Sequence, residues 1–146
     1  MPLFSRKVTV DWAGPLAGGG KGEAKAGSGA FTLPVTFPRR VGEPEGTTSP
    51  EELIAAAHAS CYAMALNATV GRKGGAIGRT HVTATVTANF DQGIKIQSST
   101  LDVVAEGLTG IEAADFEAVA KEAEGGCPVS NALRGALTIT VNASVK

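Results

Sequence analysis

Apolar and polar residues alternate from the start of the chain, and residues 6–12 (RKVTVDW) read as a strand. The glycine-rich stretch 14–22 reads as a turn into a second strand. Residues 30–37 (AFTLPVTF) read as a third, which Pro34 confines to a sheet edge or a break, because proline has no N–H for a ladder. Residues 38–48 are rich in Pro, Gly and charge and predict a loop. A long apolar segment then predicts a helix from about residue 50 to 70, ended by Gly71 and the Gly74-Gly75 pair.

The period changes to two over residues 81–90 (HVTATVTANF). His81, Thr83, Thr85, Thr87 and Asn89 form a polar face, and Val82, Ala84, Val86, Ala88 and Phe90 a buried one. Residues 94–107 continue as a strand whose apolar phase flips between Ser98 and Thr100, which predicts a bulge or a strong bend. Thr109 and Glu112 match a capping box opening a helix to about residue 124, with Phe116, Val119, Ala120 and Ala123 as its apolar stripe. A short helix from 128 to about 134 and a closing strand from 137 to 145 complete the chain. Strands and helices in this order, with no repeated βαβ unit, predict a single α+β domain over residues 1–146, built on antiparallel sheet.

Composition narrows the function classes. Among 146 residues there are 13 Lys plus Arg and 14 Asp plus Glu, so no overall field draws the chain to nucleic acid or an anionic membrane. The N-terminus lacks the apolar core of a signal peptide, and no apolar run is expected to approach the roughly 18 residues of a membrane span. A cytoplasmic protein is expected, and in that reducing compartment two cysteines are catalytic, metal-binding or buried rather than a permanent staple. The hydrophobic fraction is 43%, yet alanine inflates it and the aromatic fraction is only 5%. Small side chains bury little area each, so a homodimer that covers further apolar surface is expected.

The two cysteines carry the candidate chemistry. Cys127 opens CPVSNAL after a Gly-Gly break, with Pro128 suited to the first helical turn, so its thiol is expected at the positive end of a helix dipole. Cys61 lies within the long helix, where a cysteine is either an inert small hydrophobe or a nucleophile supported by a specific cation. Arg39 and Arg40 precede that helix. At its start Ser49 is the expected N-cap, Pro50 takes N1, and Glu52 falls at N3, where it reaches back to the cap amide. Glu51 is not needed for that box and is free to pair with an arginine, or merely to complement the helix dipole.

His58 stands one helical turn before Cys61, either sharing a face with the thiol or simply packed in an alanine-rich surface. His81 reads as a surface residue. A zinc site from Cys61, Cys127, His58 and His81 has fitting ligand types, but lacks the close ligand pairs that structural zinc sites use. No metal or cofactor is expected. Residues 18–22 lack the flanking strand, spacing and Ser/Thr of a phosphate loop.

The segment TSPEELIAAAHASCYAMAL, followed later by EGGCPVSNAL, resembles the OsmC family of hydroperoxide-reducing thiol peroxidases, which includes the organic hydroperoxide resistance proteins. VDWAG, KGEAKAGSG, the arginine loop and the closing strand fall in family order, and AAAHASC is closer to the OsmC branch. The resemblance implies an OsmC-like fold in an intertwined homodimer, with active sites built from both subunits, and a role in oxidative and osmotic stress defence. It implies Cys61 as the peroxidatic cysteine and Cys127 as the resolving one. Glu51 would orient the catalytic arginine, which is Arg40, with Arg39 the alternative because the loop to Pro50 is one residue longer here. A Cys61–Cys127 disulfide would be reopened by an external dithiol, in the organic hydroperoxide resistance branch a protein-bound dihydrolipoyl group. The other reading is a non-catalytic protein that binds a small apolar ligand in the same dimer cleft, with the cysteines as a redox switch.

Overall fold

The computed structural model describes residues 3–146, which fall into two compact units, one ending at Leu53 and one from Ile54 to Lys146. In the first, β1 (Val8–Ala13), β2 (Lys21–Ala26) and β3 (Thr32–Val35) form an antiparallel sheet in the order β1-β2-β3. Pro34 lies in edge strand β3, as its missing N–H requires. The buried face of β2 is Gly22, Ala24 and Ala26. Gly22 pairs with Trp12, and a Cβ there would sit 2.8 Å from the indole ring, so only glycine lets the ring lie across the strand. β1 is exposed along its whole length, leaving Val8, Val10 and Trp12 unburied.

Residues 38–48 are not all loop. Helix α1 (Phe37–Val41) is capped by Thr36, whose hydroxyl accepts from the Arg39 N–H at 3.4 Å, and Pro38 sits in the first turn. The signal for it was the Thr-x-Pro spacing, which places a cap and a helix-starting proline together. Helix α2 (Pro50–Arg72) begins as expected, with Ser49 Oγ accepting from the Glu52 N–H at 3.1 Å. The Glu52 carboxylate, however, accepts from the Thr48 hydroxyl at 3.1 Å instead of returning to the cap amide. Gly71 lies inside the helix, and the chain turns at Gly74 with φ +80°.

In the second unit the stripe His58, Tyr62, Leu66 and Val70 of α2 is buried. It packs with Leu101, Val103 and Ala105 of β5 (Ile94–Glu106) and with Phe116, Val119, Ala120 and Ala123 of α3 (Ala113–Gly125). The Tyr62 hydroxyl donates to the Ala120 carbonyl at 2.7 Å, so the largest buried side chain leaves no polar atom unpaired. β4 (Arg79–Phe90) pairs antiparallel with β5, and the register shifts between Thr87 and Ala88, leaving Gln97 unmatched. That bulge is the expected phase flip, one residue earlier, and it turns Ser99, Leu101, Val103 and Ala105 inward.

Three expectations give way here. β6 (Thr138–Val145) runs parallel to β5, so the second sheet is mixed within the α+β class; the long connection through α3 and α4 (Pro128–Leu133) permits the crossover. Thr109 does not cap α3, because its N–H and carbonyl are both committed to Ala76 at 2.9 Å, and Glu112 takes the cap position instead. Phe90 ends its strand 70% exposed. In addition, α2 is long and apolar enough to cross a membrane by length and composition, a property that alanine confers despite Glu51, Glu52, His58 and Asn67 along it.

Candidate active site

α4 is short, and its first turn organises both sulfurs. Cys127 is its N-cap, with extended φ −90° and ψ 112°, and Pro128 takes the first turn. The Cys127 sulfur, fully buried, accepts from the Ser130 N–H at 3.5 Å. The backbone of the neighbouring Val129 and the Cys127 side chain both act on the pKa of the Cys61 thiol, which packs against the core cluster that holds Cys127. The first turn of α4 thus binds the Cys127 sulfur and bears on the Cys61 thiol, two cysteines far apart in sequence. A thiol beside an oxidised sulfur can displace its oxygen to form a disulfide.

Cys61 stands in a setting that raises its thiol pKa, contrary to what a cation-supported nucleophile requires. Burial pushes its thiol up, the Val129 N–H works against this, and the Cys127 side chain adds to the rise. The physical reason is position: Cys61 is in the middle of α2, where the helix dipole contributes little and desolvation acts on the charged form.

His58, read from the sequence either as sharing a face with the Cys61 thiol or as packed in an alanine-rich surface, is a buried group bonded at both ring nitrogens. His58 is 0% exposed, with Nδ1 2.7 Å from Ser99 Oγ and Nε2 2.7 Å from Ser130 Oγ. Burial pushes its pKa below the ordinary value, and the charge of Glu124 opposes this, so the ring is neutral. A neutral imidazole has one N–H and one lone pair, so one serine accepts from it and the other donates to it. Ser99 and Ser130 are 41 and 72 residues from His58 in sequence, and no local pattern announces either partner. His81, by contrast, sits on the exposed face of β4, 3.6 Å from Glu106. Among the described residues no three His, Cys, Asp or Glu side chains gather as a metal site.

In the first unit Arg40 and Glu51 form a fork-shaped ion pair. Arg40 Nε donates to both carboxylate oxygens, at 3.2 and 3.0 Å, and Nη2 donates to Oε1 at 2.6 Å. The bond to Arg40 holds the Glu51 carboxyl below its ordinary range, and the bond to Glu51 raises Arg40. Arg39 points elsewhere, to the Glu45 carboxylate at 2.6 Å and the Glu43 carbonyl at 3.2 Å. The four expected residues therefore stand as two pairs: Arg40 with Glu51 in one unit, Cys61 with Cys127 in the other.

The family model described as OsmC-like protein matches residues 42–142. The chain is 35% identical over 136 residues to the peroxiredoxin OsmC of Escherichia coli, covering 92% of this chain and 93% of that protein. It is 34% identical over 145 residues to the organic hydroperoxide resistance protein OhrA of Bacillus subtilis, covering 96% and 95%. Its fold is similar to that of an organic hydroperoxide resistance protein OsmC from Legionella pneumophila, with TM-score 0.76, 25% identity and coverage of 99% and 100%. The chain belongs to the OsmC family.

Proposed function

We propose that this chain reduces organic hydroperoxides in a cycle run by Cys61 and Cys127. Its curated relatives bear the names peroxiredoxin and organic hydroperoxide resistance protein, and as a member of their family it is a cysteine-based peroxidase of stress defence. The observation that carries the two-cysteine cycle is that the first turn of α4 seats the Cys127 sulfur while Val129 and Cys127 both act on the Cys61 thiol.

In the first step the Cys61 thiolate attacks one oxygen of the peroxide. The O–O bond breaks, an S–O bond forms, and the departing alkoxide takes a proton to leave as an alcohol. Cys61 is then a sulfenic acid. In the second step the Cys127 sulfur attacks the Cys61 sulfur, the S–O bond breaks, and hydroxide leaves with the Cys127 proton as water. An external dithiol returns the disulfide to two thiols and is itself oxidised to a disulfide; a protein-bound dihydrolipoyl group fits that requirement.

Because burial raises the Cys61 pKa, the thiolate needs a cation when substrate is present. Arg40 is assigned that role, orienting the peroxide and favouring the thiolate, with Glu51 holding the guanidinium in one orientation. The chain acts as one OsmC-like domain in a cytoplasmic homodimer. Exposure of Val8, Val10, Trp12 and Met64, which a second copy would cover, supports the dimer.

Cys127→Ser tests the division of labour. With one equivalent of cumene hydroperoxide it should consume the peroxide once and accumulate a sulfenic acid that dimedone traps on Cys61, while Cys61→Ser should consume none. Steady turnover by Cys127→Ser, or consumption by Cys61→Ser, would remove the assignment.

A further inference from the structure

His58 is buried, polar and outside the chemistry of the two sulfurs, yet it is bonded to the element that seats one of them. Its ring joins α2 to β5 through Ser99 and α2 to α4 through Ser130, each at 2.7 Å. Ser130 is the residue whose N–H holds the Cys127 sulfur. Removing the ring would leave two serine hydroxyls buried without that partner.

The two sulfurs depend on this ring unequally. Cys61 is carried by α2, a helix of 23 residues whose Tyr62, Leu66 and Val70 are locked in the core. Cys127 is carried by α4, a helix of six residues that follows a Gly-Gly pair and is tied down through Ser130. Peroxide attack needs the Cys61 sulfur alone. Disulfide formation also needs the Cys127 sulfur brought to about 2.05 Å in a narrow range of dihedral angles. An error in the seat of α4 therefore falls on the second step.

Resting on the two-cysteine reading above, we propose that His58 is a positioning residue for the resolution step, acting through the bond from its Nε2 to Ser130 to hold Cys127 where it can attack the Cys61 sulfenic acid. The Nδ1 bond to Ser99 fixes the ring and its tautomer, and the Nε2 bond places α4.

The two nitrogens can be separated, because a glutamine amide reaches about as far along the side chain as Nε2 and an asparagine amide about as far as Nδ1. Reduced protein is mixed rapidly with one equivalent of cumene hydroperoxide, and the sulfenic acid and disulfide are followed by quenched intact mass. His58→Asn and Ser130→Ala should slow disulfide formation about tenfold, while sulfenic acid formation stays within about threefold of the parent. His58→Gln and Ser99→Ala should keep both steps within about threefold. The Ser130→Ala and Ser99→Ala pair carries the same comparison if a His58 variant does not fold. Equal slowing in both members of a pair, unchanged resolution in all four variants, or loss of both steps together would overturn the positioning role. If the parent protein itself forms neither sulfenic acid nor disulfide, the two-cysteine reading has failed first, and that result is separate from any of these.

Discussion

Arg39 and Arg40 are adjacent in sequence and differ in every physical respect that matters for a catalytic cation. Arg39 ends in an exposed pair with Glu45, whose side chain is 64% exposed and whose attraction water and salt screen. Arg40 is held by three bonds to a carboxylate that is itself only 14% exposed. A pre-oriented fork loses little freedom on meeting a peroxide. Arg40→Ala should therefore slow sulfenic acid formation by about a hundredfold and shift its pH profile upward, whereas Arg39→Ala should do neither. An unchanged profile in Arg40→Ala would move the assignment to Arg39. Cap geometry leaves Glu51 free either to pair with an arginine or to complement the helix dipole, and it is the family resemblance that points to Arg40, with Arg39 as the alternative. The raised pKa of Cys61 was not legible, since it depends on burial that no local pattern reports.

At the scale of elements, what could be read was what local spacing controls. The Ser49 cap, the start of α4 at Cys127 and the edge position of Pro34 each rest on contacts within a few residues. The parallel β6 and the Thr109–Ala76 bridge are long-range pairings, and there the local motif lost to the sheet. The His58 link between α2, β5 and α4 is of the second kind, and it has a pH signature. Its folded-state pKa lies below the ordinary 6.5. Between those two values the unfolded chain binds a proton that the folded chain refuses, so stability rises with pH through that window and is full above it. As pH falls below 6.5, unfolding free energy should drop by at most about 1.4 kcal/mol per pH unit from this group. Urea unfolding at pH 7.5 and 5.5 should show a smaller loss in His58→Gln than in the parent; identical losses would contradict a neutral, bonded ring. Glu51, whose pKa is lowered, contributes only further down, as pH falls through its own range.

At the scale of the whole molecule, the chain leaves more apolar surface open than its own core accounts for. β1 exposes Val8, Val10 and Trp12, and Met64 of α2 is 69% exposed. Composition anticipated this, because alanine supplies apolar character without the bulk to fill a large core. Light scattering at micromolar concentration should give twice the chain mass, and a monomer would contradict the homodimer. The central claim concerns Cys61 and Cys127, and the intact mass of reduced protein before and after one equivalent of cumene hydroperoxide tests it most directly. The account predicts rapid loss of two hydrogens per chain, with peptide mapping to a Cys61–Cys127 bridge. A dithiol unchanged under native conditions would contradict it.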